Sequence, residues 1–358
     1  MPVPDLPRDA ALARALPKVL LHEHLDGGLR PATLLALAHE LGVALPAGDA
    51  ATLEAWFRVR SNSGSLPAFL EGFDLTIPAM ARVDALERVA FEAAEDALAD
   101  GCVLGEFRCA ADLWTPQGIS IDAAIEALVA GLRRSSLPSG LIVCALRQRD
   151  ARASEAVARA AVRHHGRGVV GFDLAGPEAG HPPAQHATAF AIARAAGLPI
   201  TIHAGEADAA ERVLEAADQG AVRIGHGVRL VDALGTPGFD AVLAGGLHLE
   251  ICPTSNVCTG AAASIATHPI RALWDAGVSL SFHTDSRLIT GVSQTSEAGV
   301  LVHEAGFTWD DLARMGLAAA RASFLPQAER ERAQAAIEAW RAAQAAAGPG
   351  GNSSASTP

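Results

Sequence analysis

Apolar and polar positions along the chain alternate between two periods. Short aliphatic runs recur at 18–24, 102–107, 141–146, 169–174, 200–203, 222–226, 247–251 and 278–283. Each has the length and β-branched content of a buried strand. Between them lie stretches with helical apolar spacing, at 30–41, 84–98, 121–132, 151–164, 183–196, 207–219, 239–244 and 269–276, and two more at 308–322 and 327–346. Pro31 opens the first stretch and Asp84 is the expected N-cap of the second. Eight strand–helix units in succession predict a parallel α/β sheet and, at that number, a closed (β/α)8 barrel of the TIM type with extra helices. A doubly wound open sheet is the alternative. It asks for a Gly-rich phosphate turn after the first strand, and His24-Leu25-Asp26-Gly27-Gly28 lacks that spacing.

The expected division is one barrel domain over residues 1–347 and a Gly/Ser/Pro-rich tail at 348–358, read as disordered. A longer, less regular region at about 43–80 follows the first strand, on the face where barrel enzymes carry their chemistry. Its apolar residues Trp56, Leu66, Phe69 and Leu70 form either a lid over a pocket or a small satellite core under the insertion.

Composition narrows the class. Half of the 358 residues are hydrophobic, enough for a large core, and barrels often run past the usual domain length. A net charge of −12 gives nucleic-acid binding little electrostatic support. No apolar run reaches the ~18–20 residues of a membrane span, and residues 1–17 lack the apolar core of a secretory signal. Five cysteines without tight CxxC spacing suggest buried small hydrophobes rather than a disulfide framework. The expectation is a soluble, cytoplasmic protein that binds neither nucleic acid nor membrane; oligomeric state is left open.

Chemistry collects where a barrel demands it, at the C-terminal ends of strands. The first strand ends in His22 and His24, which point the same way because strand residues two apart share a face. The fifth ends at His203, the sixth at His226, and the eighth runs into Thr284-Asp285. Three neutral nitrogens and one carboxylate suit zinc with a position left for water. In His203-Ala204-Gly205-Glu206 the glycine turns the chain so that Glu206 faces the same pocket, an acid free to move protons beside a metal. The other nine of the 13 histidines sit on helices, in loops or at strand positions without partners. His248-Leu249-Glu250 with Cys252-Pro253 and Cys258 does not match the HxE…PCxxC zinc signature, since Pro and Cys are reversed and the spacing is wrong. Lys18 is the sole lysine, so no carboxylated lysine can bridge two metals on a middle strand, and one ion per chain is the expected count.

These residues resemble the adenosine deaminase family of purine aminohydrolases over about residues 17–326. The motifs are His22-x-His24-Leu25-Asp26-Gly27, Gly171-Phe172-Asp173-Leu174-Ala175-Gly176, His203-Ala204-Gly205-Glu206, Arg223-Ile224-Gly225-His226-Gly227, Cys252-Pro253-Thr254-Ser255-Asn256 and Thr284-Asp285. The resemblance implies a (β/α)8 barrel with one Zn2+ on His22, His24, His203 and Asp285. It implies Glu206 as proton donor, and His226 and Asp285 as the groups that orient the attacking water. It places Asp26 on the sugar and the Gly176 backbone on the purine. The implied reaction is hydrolytic deamination of adenosine and 2′-deoxyadenosine to inosine and 2′-deoxyinosine with release of ammonia, in purine salvage. One departure bears on substrate: Ser286 stands where the family commonly has a second acid that contacts the purine. Free adenine or a 5′-modified adenosine, such as an aminofutalosine-type nucleoside, is therefore the alternative substrate. The segment 106–111 also lacks the proline often found after the second strand.

Overall fold

The computed structural model describes residues 7–347. The tail expected at 348–358 lies outside the described residues, as do residues 1–6. Among the described residues there are eight strands: β1 (Lys18–His24), β2 (Cys102–Cys109), β3 (Ser139–Leu146), β4 (Val169–Ala175), β5 (Thr201–Ala204), β6 (Arg223–His226), β7 (His248–Ile251) and β8 (Ser279–Phe282). They pair in parallel as two four-stranded sheets, β1-β2-β3-β4 and β5-β6-β7-β8. Single bridges join the sheets at both edges, Phe172 with Ile200 and Glu23 with Asp285. At the first seam Phe172 N–H donates to the Pro199 carbonyl at 2.9 Å. At the second, His24 N–H donates to Asp285 O at 2.6 Å and Asp285 N–H to His22 O at 3.0 Å. The ring of eight with helices outside is the (β/α)8 barrel.

Alternation along the strands explains which side faces which layer. Phe107, Phe172, Leu174, Ile202, Ile224, Leu249 and Ile251 are buried in the apolar layer beneath the helices. The residues between and beside them fill the lumen, and several are charged. Arg108 donates to Asp173 at 2.8 Å, and it also binds Glu250. Arg223 donates to Glu250 at 2.6 Å and to Glu106 at 2.7 Å. All five are at most 1% exposed, so each charge relies on its neighbours in place of water.

Several elements differ from the pattern-based expectation. The second long helix is Val83–Ala99, so Asp84 lies in its first turn and Arg82 at its N-cap, without a side-chain cap. Asp84 pairs with Arg82 instead. The insertion is three helices, Ala50–Ser61, Leu66–Leu70 and Phe73–Ala79. The stretch 183–196 splits into a 3-10 turn, Pro183–His186, and helix Ala187–Ala195, while 207–219 shortens to Glu211–Asp218. Helices Pro7–Ala15, Pro253–Cys258, Arg287–Thr290 and Gln294–Glu304 were not anticipated. No helix among the described residues is long and apolar enough to cross a membrane. All five cysteines are buried and free, as small hydrophobes should be.

Candidate metal centre and substrate pocket

His22, His24, His203 and Asp285 converge at the C-terminal end of the barrel, their ligand atoms all within 4.8 Å of one another. Nε2 of His24 lies 3.1 Å from Nε2 of His203 and 3.5 Å from Oδ1 of Asp285. Nε2 of His22 lies 3.4 Å from the same oxygen and has no hydrogen-bond partner although fully buried. Burial, reinforced by Arg108, pushes His22 down to about 4, and burial holds His24 well below its ordinary value. Both rings are therefore neutral near pH 7, with lone pairs to offer. An orphaned neutral nitrogen on His22, with ring nitrogens of His24 and His203 gathered around the same carboxylate, fits a divalent metal. Gly225 makes the approach sterically feasible, since a Cβ there would stand 3.0 Å from the His22 ring and 3.2 Å from that of His203.

The lumen network holds these ligands from behind. Nδ1 of His22 pairs with Glu250 at 3.0 Å, and Nδ1 of His203 with Asp173 at 3.0 Å. Each contact leaves Nε2 as the coordinating nitrogen. Ser255 Oγ donates to Oδ2 of Asp285 at 2.6 Å, which leaves Oδ1 turned to the histidines. Asp285 and His226 have φ of +61° and +63°. Left-handed backbone at residues other than glycine costs roughly 1–3 kcal/mol and persists where surrounding bonds over-determine it.

Glu206 and His226 stand beside the cluster. Oε1 of Glu206 accepts from Asn256 at 3.0 Å and from Thr259 at 2.9 Å. Oε2 faces Nε2 of His226 at 3.5 Å. Burial, which His226 only partly offsets, raises the Glu206 carboxyl above its usual range. Asn256 also pairs with Nδ1 of His226 at 3.1 Å, which leaves Nε2 as the nitrogen facing Glu206. The turn carrying Glu206 is wrapped around the Glu178 carboxylate. That carboxylate accepts from the N–H groups of Gly205, Glu206 (2.9 Å), Ala207 (2.7 Å) and Asp208 (3.1 Å).

The space above the cluster has two chambers. An inner slot of about 40 Å³ is bounded by His24, His203, Glu206, His226, Asp285, Ser286, Gly176 and the insertion residues Leu66, Phe69, Leu70 and Phe73. An adjoining chamber of about 410 Å³ is reached past His24, Phe73 and Gly176, and Asp26 lies on its wall. Burial pushes Asp26 up to about 7, and its Oδ1, 3.7 Å from Nδ1 of His24, has no hydrogen-bond partner. Ser286 Oγ is likewise buried and unpartnered. The insertion is thus both roof and satellite core, but Trp56 takes no part in the roof; it packs edge-on against Phe57.

All nine residues singled out from sequence meet here. Asp173, Glu178, Glu250, Ser255, Asn256, Thr259 and Arg108 went unassigned. Asp173, Ser255 and Asn256 lay inside motifs already noticed, and Glu250 lay inside the rejected zinc pattern. Glu178 had no local signal.

Comparison with known proteins gives the same direction. The family model described as Adenosine deaminase matches residues 17–340. A curated adenosine deaminase of Mycobacterium leprae is 42% identical over 334 residues, covering 88% of this chain and 92% of the relative. Among solved structures, an adenine deaminase from Arthrobacter aurescens superposes with a TM-score of 0.82 at 25% identity, covering 91% of this chain and 99% of the other. A Burkholderia ambifaria amidohydrolase with bound Zn reaches 0.84 at 25% identity, covering 95% and 96%.

Proposed function

Because the chain belongs to the adenosine deaminase family of metal-dependent hydrolytic deaminases, we propose that it uses one Zn2+ to convert adenosine and 2′-deoxyadenosine to inosine and 2′-deoxyinosine plus ammonia. The observation that carries the reading is the four-ligand cluster with a protonatable Glu206 beside it at the base of one slot. His22, His24, His203 and Asp285 would hold the ion, and zinc is favoured by three imidazole nitrogens with one carboxylate. When bound, such an ion lowers the pKa of a coordinated water from ~15.7 toward ~7 and so supplies the nucleophile.

The chain's own groups do the rest. His226 Nε2 and Asp285 flank the position from which water reaches purine C6 and fix its orientation. Attack breaks the ring's aromaticity, and negative charge gathers on N1. Oε1 of Glu206 is already saturated by two donors, so its acidic proton resides on Oε2 and passes from there to N1. The new hydroxyl's proton then passes to the amino group, the C6–N bond breaks, and ammonia leaves with a 6-oxopurine behind. The Gly176 backbone, at φ +101°, and the unpartnered Ser286 hydroxyl border the purine slot. His24 and Asp26 lie at its junction with the outer chamber, where a sugar hydroxyl meets the free Oδ1 of Asp26. Leu66, Phe69 and Phe73 exclude water from above.

The outer chamber favours a second reading. At about 410 Å³ it exceeds what a bare ribose fills, which admits a 5′-modified adenosine. Absorbance in the adenine band after addition of enzyme to adenosine, free adenine or a 5′-substituted adenosine, with and without chelator, separates these. Chelator-sensitive turnover of adenosine above the others is expected. Equal or better turnover of free adenine would sink the nucleoside reading.

A further inference from the structure

At the opposite end of the barrel lies a cavity of about 680 Å³, larger than both chambers of the proposed deamination site. It opens at the N-terminal ends of β5–β8, between them and the turn that joins helices Trp309–Ala322 and Gln327–Ala347. Its wall contains four arginines, Arg194, Arg223, Arg321 and Arg330, and not one carboxylate. In a chain of net charge −12 that is a local reversal of sign. His248 on the same wall is spent on Ser279 and Ser281, at 2.9 and 2.7 Å, and burial keeps it neutral.

The arginines are not used up by the fold. Arg223 forms the floor, 1% exposed, its plane stacked 3.7 Å from the Phe324 ring centroid. Its Nε and Nη1 bind Glu250 and Glu106, while Nη2 is buried with no partner. Nε of Arg330 is also buried and unpartnered; among the described residues this side chain reaches only the Arg321 carbonyl, at 3.2 Å. Arg194 spends one nitrogen on the Gln219 carbonyl at 2.5 Å. The Arg321 side chain has no hydrogen bond or ion pair among the described residues. Arg223 is neutralised from behind by two carboxylates, so the three arginines nearer the mouth carry the uncompensated charge. Planar forks with free donors around an acid-free hollow match the tetrahedral oxygens of a phosphoryl group.

We propose that this pocket binds a small phosphate-bearing anion, at a site separate from the deamination site. Free phosphate and a phosphate ester share the chemistry, and the apolar wall of Leu198, Ile200 and Phe324 gives an ester's organic part a place to lie. Calorimetric titration of the metal-loaded full chain with inorganic phosphate and with uridine monophosphate, which has no 6-aminopurine, tests the site. Saturable, salt-sensitive binding of at least one probe is expected, undiminished by excess inosine. Tighter binding of uridine monophosphate assigns the site to esters, and the reverse to free phosphate. Arg321→Gln and the Arg321→Gln/Arg330→Gln pair should weaken binding, the pair by about tenfold or more, with adenosine turnover retained. Binding displaced by inosine, binding unchanged in the pair, or no binding of either probe would overturn the proposal.

Discussion

The two oxygens of Glu206 are in different situations, and the difference decides what the residue can do. Oε1 is committed to Asn256 and Thr259, while Oε2 has only the long approach to His226. Glu206→Gln keeps the size and the acceptor but has no acidic proton to give. Metal content by mass spectrometry should be unchanged, with turnover down by roughly 10²–10⁴-fold, as loss of a positioned proton donor predicts. Wild-type turnover would mean that N1 is protonated from elsewhere. Glu250 acts one layer back, bonding Nδ1 of His22. Glu250→Gln should lower metal affinity by about 10–100-fold in a chelator competition, with the fold checked by circular dichroism. Unaltered affinity would leave it a packing role only. At this scale the sequence was legible for residues that end strands, because the barrel says where those ends meet. It was silent on their supports: Glu250 stood out only in a zinc pattern that did not match, Arg108 only in a segment noted for a missing proline, and nothing local says that an interior is charged.

Among the elements, the six-residue helix Pro253–Cys258 matters beyond its size, since Ser255 and Asn256 on it hold Asp285, Glu206 and His226. It is too short for a periodicity to be seen, which is why its residues stood out only as a motif. Helix Gln294–Glu304 braces it: Thr254 N–H donates to Glu297 at 3.3 Å, and Oε1 of Glu297 is buried without a partner. Burial raises the Glu297 carboxyl to about 7 from a reference of 4.5. Between those two values the folded chain holds a proton that the unfolded chain has released. Stability contributed by this group is therefore complete below pH ~4.5 and is lost as pH rises through ~7, by on the order of 3 kcal/mol. Urea unfolding of wild type and Glu297→Gln across pH 5–8 should show the wild type falling relative to the variant as pH rises. Parallel curves would mean that the carboxyl titrates normally. The Glu178 turn shows the same limit on sequence reading: helical spacing ran on through 207–210, but four N–H groups prefer one carboxylate.

For the whole molecule, eight alternating units made the barrel readable, because the count of strand–helix repeats survives errors at every boundary. What the pattern left unsaid is how the ring closes. The two four-stranded sheets meet through one bridge at each edge, and one seam runs between His22, His24 and Asp285 themselves. Chelation should thus lower the melting temperature by about 5 °C or more and speed amide exchange at His24 and Asp285 ahead of the strand centres, with zinc restoring both. An unchanged melting temperature would show the seam to be self-sufficient. The same partition distributes the cluster evenly, His22 and His24 in one half and His203 and Asp285 in the other. A gene cut between helix Ala187–Ala195 and β5 would encode two fragments, neither owning more than half of a coordination shell. Deamination would then report that the fragments had found each other, making this barrel a natural starting point for a two-piece reporter switched by metal.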